Sequence, residues 1–199
     1  MNTPKAAARN LLLAATLIGA GTAHAHTGHG TSSLYEGLIH PFGLDHLLAM
    51  VAVGVWSVSA LPARRAWMGP AAFMTALILS ALLGVAGVTV PYLESLIAAS
   101  VVLFGAMLFL SRMRLPTAAG LGLVAVAAVF HGIAHGAETP ASGFAGYALG
   151  FLATTAMLHF GGVLAGLGIR RHFADREFWL FRMLGAGCGG AGVYLLSQL

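Results

Sequence analysis

The chain has 199 residues, 58% of them hydrophobic and 8% charged, with a mean hydropathy of +0.87 and a net charge of +4. A soluble domain carries about 25% charged residues, and disorder needs low hydrophobicity with high charge, so both are excluded. The 27 glycines follow no G-X-Y period, which excludes collagen. Lys5 and Arg9 stand at the N-terminus and the remaining basic residues are arginines in short loops, with no aromatic-interleaved stripe. That distribution argues against a nucleic-acid partner and leaves an all-α, polytopic membrane helix bundle with lipid as its surroundings. Cys188 is the sole cysteine, so no intramolecular disulfide can form.

Residues 1–25 read as a secretory signal peptide. Lys5 and Arg9 form the basic region, Leu11 to Ala20 the short apolar region, and Ala23-His24-Ala25 the small-x-small cleavage site. The apolar region is too short for a comfortable span. Residues 26–199 are then one transmembrane domain. Its exported tail opens His26-Thr27-Gly28-His29, where an α-amine and imidazoles make a weak metal trap or simply a solvated tail.

Six apolar stretches follow, at 36–59, 67–88, 91–111, 115–136, 143–168 and 177–197. Each is near the ~20 residues that cross ~30 Å of hydrocarbon, and each must satisfy its own backbone as a helix. Arg64 and Arg65 lie in the first connection, Arg112 and Arg114 in the third, and Arg170, Arg171 and Arg176 in the fifth. The second and fourth connections carry no basic residue. The odd connections therefore face the cytoplasm, and both mature termini face the periplasm across the inner membrane. Gly146-x3-Gly150, Gly162-x3-Gly166 and Gly185-x3-Gly189 have the spacing of close helix approach. Packing within the chain is the first reading of these glycines, and a homo-oligomer seam along Gly185 to Gly192 the second. No inverted repeat is legible.

Ionisable groups in lipid cost roughly 2.5–3.5 kcal/mol each on insertion scales. This chain nonetheless places Glu36, His40, Asp45 and His46 in the first span, Glu94 at the outer end of the third, His131, His135 and Glu138 in and beyond the fourth, and His159 in the fifth. Apart from Arg182 near the inner face, the spans hold no basic partner for the carboxylates, so protons or a mobile cation must compensate them. His131, His135 and Glu138 stand at i, i+4 and i+7, within about 60° on one helix face. His40 and His46 are six apart, about 120° on an ideal helix, and converge only if the helix is distorted. Pro41 and Gly43 between them supply the distortion. On a straight span Asp45 and His46 would lie roughly 14–15 Å deep. His159 alone is as well explained by a helix–helix hydrogen bond as by a ligand role. Glu94 reads as an interface residue beside Tyr92, and His172 as a solvated loop residue.

These residues carry a resemblance. His40-Pro41-Phe42-Gly43-Leu44-Asp45-His46, His131-Gly132-Ile133-Ala134-His135-Gly136-Ala137-Glu138 and Leu158-His159-Phe160-Gly161 are similar to motifs of the HupE/UreJ family of nickel transporters. The first also resembles the H-x4-D-H signature of the larger nickel/cobalt transporter family. The resemblance covers nearly the whole chain. It implies uptake of Ni²⁺ or Co²⁺ as a transported ion, with no prosthetic group, to supply hydrogenase or urease through their maturation proteins. By residue match it assigns the metal path to His40, Asp45, His46, His131, His135, Glu138 and His159.

No G-x4-G-K-[ST] loop is present, so ATP is not the expected energy source. The rival class is an intramembrane zinc-dependent hydrolase, built from histidine, aspartate and bound water. A rhomboid-type protease needs a Ser in G-x-S, whereas Pro140-Ala141 precede Ser142. A di-haem carrier with paired histidines is a further rival.

Overall fold

The computed structural model describes residues 33–111, 115–140 and 143–199. The signal peptide expected at 1–25, His26 and His29, and Arg112 and Arg114 lie outside the described residues. All described elements are helical: α1 (Ser33–Ile39), a 3-10 turn (His40–Phe42), α2 (Leu44–Ala60), α3 (Met68–Val85), α4 (Leu93–Phe109), α5 (Thr117–Ala137), α6 (Phe144–His172) and α7 (Glu177–Leu196). This follows from the sequence, because apolar runs of this length close their backbone hydrogen bonds internally only as helices.

The first predicted span is broken. α1 with its 3-10 turn meets α2 at a bend of 70°. Pro41 supplies no backbone N–H, and Gly43 adopts an extended conformation (φ −51°, ψ 140°) between the two helices. Asp45 and His46 stand in the first turn of α2, just past the break.

α3 (with the 3-10 turn that precedes it), α5 and α6 are each long and apolar enough to cross a membrane, and the bent α1–α2 pair makes a fourth crossing if taken as one span. α4 is a shorter apolar helix of 17 residues. α6 runs further than expected, so Arg170, Arg171 and His172 form its last turn rather than a loop. Basic side chains there face the negative end of the helix dipole.

The helices pack in pairs: α1 and α2 on α6, α3 on α5, and α4 on α7, with α2 also touching α4. Met50, Val53, Phe73, Leu77, Phe104 and Val124 are fully buried between them. Two contacts require glycine. A Cβ on Gly132 of α5 would strike Ser80 Oγ and the Leu77 carbonyl of α3. Gly185 of α7 lies directly against the Phe109 and Gly105 backbones of α4. Gly185 and Gly192 of α7 are thus used for packing inside the chain, whereas a Cβ on Gly187 or Gly190 would meet nothing within 4 Å.

The tight α3–α5 seam makes a prediction. Gly132→Val should destabilise the detergent-solubilised protein by ~1–3 kcal/mol or more through overpacking. Gly122→Ala, where an added Cβ meets nothing within 4 Å, should leave it unchanged. Monodisperse protein recovered after stepwise heating measures both.

Candidate metal centre

The break in the first span is what assembles the centre. It turns His40, in the 3-10 turn, back toward His46, with ring centroids 6.2 Å apart. The last two turns of α5 bring His131 and His135 to the same place. The His46 ring lies 4.9 Å from that of His131 and 4.4 Å from that of His135, and His40 lies 4.8 Å from His135.

Two overlapping ligand groups result. In the inner one His46, His131 and His135, all buried, each offer a ring nitrogen, and these atoms lie within 4.8 Å of one another. In the outer one His40, His135 and Glu138 do the same, with Glu138 exposed at the end of α5. His135 belongs to both. Glu138 Oε2 is 3.4 Å from His40 Nε2 and 3.6 Å from His135 Nδ1, linking the broken span to α5.

Asp45 serves the cluster through its neighbour. Its Oδ1 accepts hydrogen bonds from the His46 backbone N–H and from His46 Nδ1, both at 2.8 Å. The first satisfies an otherwise unpaired donor at the start of α2. The second holds the ring with Nε2 unprotonated, the arrangement by which carboxylates orient metal-binding histidines. Asp45 therefore orients an imidazole and is in neither three-residue group.

Several ring nitrogens of these histidines make no hydrogen bond within the protein. His46 Nε2, His131 Nδ1 and both nitrogens of His135 are buried without a hydrogen bond. Buried polar atoms in folded proteins are overwhelmingly paired, and each unpaired one costs about 1–3 kcal/mol. Four such atoms converging from two helices form a set that a cation satisfies and apolar packing does not. Imidazole with carboxylate suits nickel, cobalt and zinc.

His159 stands apart from both groups. Its Nδ1 bonds the Thr155 carbonyl at 2.8 Å and its Nε2 is buried without a partner. The Phe73 ring of α3 lies 4.7 Å from that of His159 and 5.5 Å from that of His131, touching both. The sequence expects His159 as the next or a shared ligand, and it is in neither three-residue group. The Thr155 bond lies within α6, so it is not the helix–helix hydrogen bond of the alternative reading.

Reading the residues in sequence missed Phe73 and Ser100. Ser100 Oγ of α4 lies 2.9 Å from His131 Nε2. The available signal was a serine in the middle of an apolar helix.

A helical membrane protein with a buried cluster of imidazoles and a carboxylate at its rim belongs to the class of membrane proteins that handle metal ions. The model of the HupE / UreJ protein family matches residues 13–195. Protein HupE of Rhizobium leguminosarum bv. viciae is 40% identical over 176 residues, covering 87% of this chain and 90% of that relative. The chain belongs to the HupE/UreJ family, a family of metal transporters. No solved structure matches it.

Binding at the centre is directly measurable. Added Co²⁺ or Ni²⁺ at about 100 times its Kd should stabilise the purified protein by about 2.7 kcal/mol. His131→Ala or His135→Ala should abolish the stabilisation, and His172→Ala, on an exposed turn of α6, should retain it. Thermal midpoints with and without metal read this out.

Proposed function

We propose that this protein takes up Ni²⁺, or Co²⁺, across the bacterial cytoplasmic membrane as a secondary transporter, and that the metal supplies hydrogenase or urease maturation. In this reading residues 26–199 form six spans after a cleaved signal peptide, with both termini periplasmic. The observation that carries it is the convergence of buried imidazoles without hydrogen-bond partners beside the exposed carboxylate of Glu138. The arginines at 64, 65, 170, 171 and 176 assign the opposite end of the bundle to the cytoplasm. Glu138 then stands at the periplasmic end of α5.

The order of events follows from the overlap of the two groups. The ion enters at His40 and Glu138, is held with His135, and passes to His46 and His131 while His135 remains a ligand. A shared ligand lets one bond persist while the others exchange, so the ion is never stripped of all protein donors. Asp45 keeps the receiving nitrogen of His46 unprotonated. Beyond the cluster the path runs past Phe73 toward His159, whose Nε2 is the next buried nitrogen without a partner.

The membrane potential is a sufficient driving force. Each charge gains roughly 2.3 kcal/mol per 100 mV, so a divalent ion gains about 4.6 kcal/mol. At about 1.4 kcal/mol per decade this supports ~10³-fold accumulation. Proton displacement from the ligands adds a second possible coupling, since ligands bind metal deprotonated.

Asp45→Asn and His46→Ala should abolish cellular accumulation of radioactive nickel while leaving the amount of protein in the membrane unchanged. Wild-type accumulation by both variants would refute the assigned site. In sealed proteoliposomes an inside-negative potential should drive uptake of Ni²⁺ or Co²⁺, and its collapse should end net accumulation.

A further inference from the structure

Ser100 forms two close contacts on opposite sides of its hydroxyl. Its Oγ lies 2.6 Å from the Ile97 carbonyl oxygen, one turn back on α4, and 2.9 Å from His131 Nε2 on α5. A hydroxyl has one proton and two lone pairs. Two oxygens 2.6 Å apart repel unless a proton lies between them, and the carbonyl has none to offer. The Ser100 proton is therefore directed at Ile97. Oγ is left to accept, and the donor is His131 Nε2–H.

We propose that Ser100 is a positioning residue that fixes His131 in its Nε2–H tautomer and so presents the Nδ1 lone pair to the metal. Three observations meet on this point. Ser100 and His131 are both buried, so water does not compete for either contact. His131 Nδ1 is buried without a hydrogen-bond partner, and the His131 ring lies 4.9 Å from that of His46 and groups with His135. The Phe73 ring at 5.5 Å packs against His131 and helps hold its plane. Asp45 does the same for His46 with the opposite nitrogen, bonding Nδ1 and freeing Nε2. The two helices thus present different imidazole nitrogens, one backed by a carboxylate and the other by a neutral hydroxyl. The neutral partner adds no net charge beside the metal.

The metal role of Ser100 rests on the transport reading, but the tautomer does not, and the two are separately measurable. In full-length protein carrying ¹⁵N-labelled histidine, with His131→Asn used for assignment, ring nitrogen shifts should show His131 as the Nε2–H tautomer without added metal. Ser100→Ala should populate the Nδ1–H form and raise the nickel concentration for half-maximal uptake about 10-fold, within the range seen when a histidine's orienting partner is lost. Ser100→Thr, which keeps the hydroxyl, should restore both. An Nδ1–H tautomer in the wild type overturns the proposal, as does a Ser100→Ala protein with an unchanged uptake curve. A wild type that transports no metal yet shows the Nε2–H tautomer refutes the transport reading and upholds the hydrogen-bond assignment.

Discussion

The structure turns on the hydrogen-bonding capacity of buried imidazole. A neutral ring has one donor and one acceptor, and α2 and α5 bury several rings with acceptors that nothing in the chain satisfies. Tight apolar packing surrounds them, with Met50, Phe73 and Phe104 fully buried nearby in sequence and space. A cluster of this kind is costly to keep unless something positive visits it, and the rest of the fold serves to hold it together.

Two devices hold it. The Pro41–Gly43 break ends one helix and starts another, so that His40 and His46 reach a common point which a continuous helix would deny them. The glycines of α5 bring α3 to backbone contact with the face beside the histidines, which places Phe73 against His131 and His159. Orientation then follows from partners outside the ligand set. Asp45 and Ser100 each take up one nitrogen of an imidazole and leave the other for the cluster.

Glu138 differs from the other members. It is exposed, beyond the last turn of α5, and within 3.6 Å of two histidines from different parts of the chain. A carboxylate at a rim keeps its hydration while attracting a divalent ion. A buried one would need a fixed partner to offset its desolvation. In the proposed transport path, a charged carboxylate at the rim and imidazole nitrogens inside would let the ion exchange water for protein donors in steps.

Much of this was legible before any tertiary structure. Hydrophobic content determined a membrane protein, because apolar runs of about 20 residues have one stable backbone solution in lipid. The i, i+4, i+7 spacing determined that His131, His135 and Glu138 share a face, since helix geometry alone sets that angle. Pro41 and Gly43 marked the break. Family membership was legible in three short motifs. Only the tertiary structure decided which side chains meet. His159 packs against Phe73, Asp45 orients rather than joins the two ligand groups, and Ser100 reaches a histidine 31 residues away. Spacing along a chain fixes neighbours on one helix, but contacts between helices depend on the bend angle and on how closely backbones approach. Those quantities are set by packing across the whole bundle and have no local signature.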